Sequence, residues 1–457
     1  MIAIASLVPD QSQTMETSNT HITEPHSMRN FRVLWAGALI NALGSGMTAF
    51  GVAAYVYPLT KSATAVSAVL ACALVPPMLL GPLTGVAADR HDRRMLMAVG
   101  DGGGISGIAV VWWALSNPRP SIPLVCVGML LTGAFAAISE PAFKASITDL
   151  VDPDDYARSS ALMQLIGAGR LLAAPFMAGL VLGLASINAV LAIDAATAVV
   201  TVACTLVVRR SIAAPAVRKD SAGVLSDLRE GAKVLSSTRG VVVLITVFVL
   251  ATFAAGLAQV LIKPLMLPRI TVTEQGILES VAASGLIAGS GAVAAIVARR
   301  GSYGALVVGL FAAGGFLTVF PYGPVWSVGL MGFLFFASLA LVNTGADVLV
   351  RSSLPNEAQG RAWGLIGLVS QLGFPIAYLV AGPLADLVFE PLMTADGPLG
   401  STLGQVFGTG AGRGIALIFS LAGVLMLFSA VTISRSPSVA ALEPDLDSHL
   451  AVEMIPC

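Results

Sequence analysis

Charge is scarce in this chain. Asp, Glu, Lys and Arg together make up 11% of its 457 residues, while 56% are apolar. A water-soluble domain carries roughly a quarter charged residues, so a chain this poor in charge cannot clothe a globular surface in polar groups. Cysteine is sparse as well: Cys72, Cys126 and Cys204 lie in apolar runs and Cys457 ends the chain, with no spacing of a disulfide framework or a metal site. The four histidines, His21, His26, His91 and His449, form no cluster. No intramembrane nucleophile is paired with a base, which speaks against a membrane enzyme. No Gly-x-x-x-x-Gly-Lys-Ser/Thr occurs, which speaks against direct ATP drive, and no cofactor is expected. A net charge of −1 leaves no nucleic-acid footprint. The N-terminal thirty residues lack the basic start and long apolar run of a signal peptide; they read as a mobile polar tail, with Met28 as a second candidate start.

What the chain has instead is apolar length. Mean hydropathy is +0.85, and Gly (47) and Pro (25) are abundant, as suits membrane helices that kink and pack closely. A lipid-crossing helix needs about 20 mostly apolar residues. Twelve runs qualify, at 33–57, 64–88, 95–116, 122–143, 159–184, 187–208, 240–262, 275–298, 303–321, 325–350, 362–388 and 412–434. The fold class expected is an all-α membrane protein of twelve transmembrane helices in two pseudo-symmetric six-helix bundles. Its parts are a disordered tail (1–30), an N-terminal bundle (31–208), a basic linker (209–239), a C-terminal bundle (240–434) and a second tail (435–457). With the N-terminus placed in the cytoplasm, 19 of the 25 Lys and Arg fall on inner segments and five on outer ones, with Arg170 inside a span. This bias predicts a multi-pass protein of the cell membrane with both termini cytoplasmic. An internal repeat supports the halving: Leu150-Val-Asp-Pro153 leading to Arg158 is matched by Leu354-Pro355-Asn-Glu leading to Arg361, and Gly81-Pro82 is echoed by Gly382-Pro383. Two such halves around a central site suggest bundles that rock against each other.

After the second span comes Gly85-Val-Ala-Ala-Asp89-Arg90-His91-Asp92-Arg93-Arg94. It resembles the cytoplasmic loop motif of the major facilitator superfamily, Gly-x-x-x-Asp-Arg-x-Gly-Arg-Arg, with Asp92 where the motif has Gly. The Asp-Arg-x-Asp-Arg-Arg form is similar to the branch of macrolide-efflux proteins and the enterobactin exporter. So are Phe31-Arg32-Val-Leu-Trp35, Glu140-Pro141-Ala142-Phe143 and Gly382-Pro-Leu-Ala-Asp386 before Phe389-Glu390-Pro391-Leu392. Ala174-Pro175-Phe-Met-Ala178-Gly179 in span five loosely resembles an antiporter motif, Gly-Pro-x-x-Gly-Gly. The resemblance implies the two-bundle fold, with span eleven beside span two. A carboxylate at Asp89 could then cap the exposed amides of the helix starting near Ala362. Arg93 and Arg94 would pair with Glu140 or Asp149. Gly85, Asp89, Arg90, Arg93 and Arg94 would thus form an inner gate that latches the halves in the outward-open state; for the arginines a positive-inside signal is the competing account. The second copy, Ala298-Arg299-Arg300-Gly301, lacks the acid.

Charges inside the membrane are costly and mark candidate sites. Arg170 lies about 18 Å past Arg158 at 1.5 Å per residue, near the midplane. Asp194 lies about 10 Å from the other end of span six, at similar depth, and is its natural partner. The pair either fixes spans five and six structurally or faces the cavity and responds to protons or substrate. Asp101, about 10 Å into span three, is a second buried acid, suited to proton coupling or to the inner latch. Asp347 and Arg351 form an interfacial i,i+4 pair. Asn41, Gln164, Gln259, Asn343 and Gln371 stand mid-span and either line a substrate path or bond helix to helix. Trp112, Trp113 and Trp326 fall where interfacial belts belong. Gly102-Gly-Gly104-Ile-Ser-Gly107 fits Gly-x-Gly-x-x-Gly, but it lies in an apolar span with no strand before it, so close helix packing is the better account.

The function expected is secondary transport: export of a hydrophobic or amphipathic small molecule, such as a drug, siderophore or secondary metabolite, in exchange for protons. The direction rests on the resemblance. An uptake permease and a non-transporting receptor or assembly factor on the same scaffold remain alternatives. The partners expected are the cargo, protons and the bilayer, with the chain acting as a monomer.

Overall fold

The computed structural model describes residues 28–211, 239–353, 365–367 and 369–443. The first tail, most of the central linker, the stretch that holds Ala362 and the last 14 residues, 444–457, lie outside the described residues. Among the described residues no strand occurs. Eleven helices are long and apolar enough to cross a bilayer. One of them, Val272–Val319, has 48 residues and turns back at Gly301, where φ is 71°, so it makes two crossings and the total is twelve. The N-terminal half comprises α1 (Met28–Thr60), α2 (Ala63–Arg90), α3 (Arg93–Ser116), α4 (Ile122–Leu150), α5 (Tyr156–Leu184) and α6 (Ile187–Ser211). The C-terminal half comprises α7 (Arg239–Met266), α8 (272–300), α9 (302–319), α10 (Val325–Ser353), α11 (Gly373–Leu392, preceded by helical residues 365–367) and α12 (Arg413–Ser434).

Side-chain oxygens start several of these helices, because the first turn leaves amides without partners. Ser62 Oγ accepts from Ala65 N at α2, and Thr271 with Glu274 forms a full capping box at α8. The fifth helix of each half is interrupted by a π turn beside a proline: Gly169–Ala173 precedes Pro175 in α5, and Leu384–Phe389 follows Pro383 in α11. Proline lacks an amide hydrogen and crowds the preceding turn, and the wider π turn absorbs the mismatch.

Two boundaries correct the sequence reading. α7 runs on to Met266, past the expected end of that span at residue 262, so Lys263, which would fall in an outer loop, is inside the helix and 4% exposed. α6 runs on to Ser211 and takes Arg209 out of the linker. Past α12 the chain does not leave the molecule at once: a short helix, Pro437–Ala440, packs on α7, and Glu443 accepts from Ser302 N (2.5 Å) and Tyr303 N (3.1 Å) at the start of α9. The acid that the second loop copy lacks is supplied there from more than a hundred residues away.

The sides of the molecule differ. The basic face carries Arg90, Arg93 and Arg94 and the ends of α6 and α10; the opposite face carries the α1–α2 and α7–α8 turns. Within the halves, α1 packs on α6, α3 on α4, and α7 on α11. Between the halves, α2 packs on α11 and α5 on α8. These two seams are tight: a Cβ at Gly382 would overlap Thr64, and one at Gly276 would overlap the Pro175 carbonyl. The C-terminal core runs across the seam to include Ala63, Val66 and Leu70 of α2. Large apolar side chains on the outside, such as Phe428 (68% exposed) and Trp326 (72%), face where lipid would be.

Candidate substrate cavity and gates

The hydrogen bonds that join α2 to α11 and α5 to α8 lie toward the opposite face. Asp386, in the π turn of α11, reaches the first turn of α2. It accepts from Ser62 Oγ (2.6 Å), Ala63 N (3.1 Å) and Thr64 N (2.8 Å). A carboxylate from one half thus caps a helix of the other, where bare amides and the positive end of the helix dipole favour an anion. Below it, Ser67 Oγ donates to the Tyr378 carbonyl and accepts from Gly382 N. On the second seam Thr273 Oγ1 donates to Gly179 O (2.9 Å) and Ser280 Oγ to Leu172 O (2.5 Å).

Beneath these contacts is a central cavity of about 400 Å³ lined by Phe50, Phe336, Phe374, Tyr378, Gln259 and Arg170 among others. It continues into a chamber of about 460 Å³ in the N-terminal half, sharing Ala49, Leu74, Gly167 and Arg170 with it. It also continues into one of about 490 Å³ in the C-terminal half, sharing Leu171, Gln259, Phe336 and Phe374. The two side chambers reach residues near the basic face, Lys144 in one and Asp347 in the other. The space between the halves therefore runs from mid-membrane toward the basic face.

The polar residues singled out in the sequence line this space. Asn41 and Gln164 are on the N-terminal chamber, Asn343 and Gln371 on the C-terminal one, and Gln259 on both the central and C-terminal cavities. Gln259 Oε1 accepts from Tyr378 Oη at 3.0 Å. Asp101, 9% exposed, takes a 3.3 Å bond from Asn41 Nδ2. Asp194, 2% exposed, also faces the N-terminal chamber; α1 passes so close there that a Cβ at Gly44 would overlap the Thr197 hydroxyl. Arg170 stands on the π turn of α5, at the junction of the N-terminal and central cavities, with its stem against Gly46. The sequence paired it with Asp194. Among the described residues no ion pair joins them: Arg170 Nη2 reaches only Ser45 Oγ, at 3.5 Å. Similar depth on neighbouring helices left open the rotation of each helix, and the two side chains reach the chamber from different walls.

At the basic face Arg93 bridges Asp149 at 2.8 Å, and also donates to Ala145 O (2.8 Å) and Ala88 O (3.3 Å). Glu140 pairs with Lys144 instead (2.9 Å). Arg94 is 2% exposed, and Arg90 is exposed at the end of α2. A side chain at Gly85 would meet open space. The Asp89 side chain lies outside the described residues, as does the helix start expected to receive it. Asp92, where the motif has Gly, accepts from Arg94 N (3.0 Å) and Met95 N (3.4 Å), capping α3, and its other oxygen bridges Arg209 at 2.9 Å. Asp347 and Arg351 form their i,i+4 bridge at 3.1 Å.

Sequence reasoning missed three arrangements. Lys263 of α7 bridges Glu279 of α8, 2.8 and 3.0 Å from its two oxygens, and sits 4.9 Å from the centre of the Phe50 ring. Glu279 also accepts from Gln275 Nε2 at 2.8 Å. The available signal was an acid four residues into an apolar span. Glu390 accepts from Gly412 N and Ile415 N, each at 3.0 Å, capping α12, and Asp386 closes the opposite face as described. Both acids belong to the stretch that resembled the efflux branch, but nothing local says which helix they reach.

Two six-helix bundles joined at one face and parted by a cavity toward the other define a membrane transporter. The comparisons agree: a family model for the Major Facilitator Superfamily matches residues 34–378. Macrolide efflux protein A of Streptococcus pyogenes is 23% identical over 374 residues, covering 78% of this chain and 90% of that protein. The protein of the same name from Enterococcus faecalis is 25% identical over 182 residues, 39% of this chain and 55% of its own. Among solved structures, the nucleoside transporter NupG superposes with a TM-score of 0.68 at 13% identity, covering 90% of this chain and 100% of that one. A bacterial homologue of the iron transporter ferroportin, in an inward-facing state, gives 0.67 at 15% identity over 89% and 99%. The chain belongs to the Major Facilitator Superfamily and is a transporter, not an enzyme.

Proposed function

We propose that this protein exports a hydrophobic or amphipathic small molecule across the cell membrane in exchange for protons, working as a monomer by alternating access. The observation that carries the reading is the continuity of the cavities. A central chamber walled by aromatic rings suits an apolar body, and it opens sideways onto a chamber with two buried carboxylates, Asp101 and Asp194. Carboxylates that line a space whose access alternates between the two sides are placed to take up a proton from one side and release it to the other. The similarity to proteins named for macrolide efflux supports outward transport.

On this reading the basic face and both termini are cytoplasmic, and the conformation described is open to the inside. The cap that Asp386 of α11 places on α2 then holds the outer gate. The loop from Gly85 to Arg94, with Asp89 as the cap, is the inner gate, engaged when the cavity opens outward. The motion required is the rocking of one bundle against the other about the central chamber.

The test is transport by the full-length protein in proteoliposomes under an imposed pH gradient, with a panel of amphipathic compounds that includes a macrolide. At least one compound should move against the proton flow, with matching proton movement. If no compound moves in a protein-dependent way, the exporter reading fails; if cargo and protons move together, the protein is an uptake permease.

A further inference from the structure

The charges around the central cavity do not cancel. Three ionisable side chains besides Tyr378 line it: Arg170, Lys263 and Glu279. Lys263 and Glu279 satisfy each other through both carboxylate oxygens, and Gln275 and the Phe50 ring complete their surroundings. Arg170 has nothing equivalent. Its guanidinium carries five N–H donors in a flat fork and stays protonated in a protein. Yet its one hydrogen bond is the long contact to Ser45 Oγ, and no carboxylate lies within ion-pairing distance of it among the described residues. Arg170 is exposed to this space, and Asp194 and Glu140 feel its charge without touching it, so its donors are free to take a ligand in the cavity. The π turn that carries it is a backbone irregularity of the kind that recurs at functional sites. The wall facing it is aromatic: Phe336, Phe374 and Tyr378 line the same space.

We infer that the cargo is an amphipathic organic anion, which sets a carboxylate on the Arg170 fork and lays an aromatic or aliphatic body against Phe336, Phe374 and Tyr378. This rests on the transport reading above and narrows its cargo. A carboxylate matches the guanidinium with two parallel N–H···O bonds. A cationic amine of the same body would meet Arg170 with like charge, and a neutral ester would bring it no counter-charge. Lys263 cannot take the role, since Glu279 already occupies it.

The probes are three molecules with one ring system: 1-pyrenebutyrate, its methyl ester and 1-pyrenebutylamine. Equilibrium binding is read by fluorescence anisotropy with the full-length protein in nanodiscs, for wild type, Arg170→Met and Arg170→Lys. Wild type should bind the carboxylate about tenfold or more tightly than the ester or the amine. Arg170→Met should erase that preference while holding ester affinity within about threefold of wild type, which shows the cavity intact. Arg170→Lys should restore part of it, because lysine keeps the charge without the fork. Equal binding of all three by wild type, or a preference that survives in Arg170→Met, overturns the assignment. So does transport of the macrolide or the amine but not the carboxylate in the proteoliposome assay, an outcome that leaves the exporter reading standing. Absence of saturable binding by all three probes overturns the cavity as an amphiphile site, and transport of any panel compound then shows whether the exporter reading falls with it.

Discussion

Removing the carboxylate of Asp386 should loosen the opposite face and shift the conformational equilibrium. In the conformation described, one side chain accepts three hydrogen bonds from the first turn of α2, two from backbone amides and one from Ser62 Oγ. Hydrogen bonds to a charged group contribute about 1.5–3 kcal/mol each when lost with a partner left buried, and a charge at a helix N-terminus adds about 0.3–1 kcal/mol. Water reaches the amides once the face opens and offsets most of the loss, so a net cost of about 2–3 kcal/mol is reasonable for Asp386→Ala. At 1.4 kcal/mol per decade that changes the ratio of the two states by roughly 30- to 150-fold. The readout is the distance between spin labels on the opposite face, at Asn117 in the α3–α4 turn and Asp396 after α11, in a background without the native cysteines, by double electron–electron resonance. Asp386→Ala should move population to a longer distance, and Asp386→Asn should do so less, because the amide keeps one acceptor. An unchanged or shortened distribution in Asp386→Ala refutes the reasoning: the α2–α11 seam would then be held by Ser67 and apolar packing alone.

Three further outcomes follow from the same geometry. Lys263→Met strands the Glu279 charge in a largely buried place and should cost about 3 kcal/mol of stability, while Lys263→Met with Glu279→Gln should recover most of it; melting in detergent checks both, and equal losses for single and double variants would show that the pair is not coupled. Asp194→Asn keeps the shape of the acid but not its proton, so cargo movement driven by a pH gradient should be lost while exchange of cargo for cargo persists. Retention of gradient-driven movement would place the coupling at Asp101 or elsewhere. Exchanging the charges in Arg170→Asp with Asp194→Arg should not restore transport to either single variant, since the two groups share a chamber without forming an ion pair; restoration would show that they pair in another state.

Topology was legible along the chain, and particular residues show why. The bilayer imposes a constraint in one dimension: about 20 apolar residues per crossing, basic residues on one side. Arg93 with Asp149 was within reach of the same reasoning, since two charges at the ends of adjacent spans have few other partners. So was Asp347 with Arg351, one helical turn apart. Lys263 was misplaced by the same logic, because a lysine ends an apolar run whether the helix ends there or not. Its helix runs on to Met266, and Glu279 from the next crossing lies beside it. The role of Asp92 was hidden by reading it as a departure from a motif, when its position ahead of Arg93 and Arg94 is that of a helix cap.

By itself the sequence determined that the chain crosses a membrane twelve times in two related halves, how those crossings alternate, and which loop motif ties it to its superfamily. These follow from hydropathy, basic residues and local spacing, all of which are properties of neighbours along the chain. Only the tertiary structure decided which face of each helix looks into the cavity. A helix that is apolar all round carries no stripe to announce its buried side, so the rotation that keeps Arg170 from Asp194, and the partnership of Asp386 with residues 322–324 positions away, is set by packing against other helices. The cavity and the guanidinium of Arg170 that no carboxylate contacts are likewise properties of the assembled bundle, because they exist only where helices of the two halves stand apart.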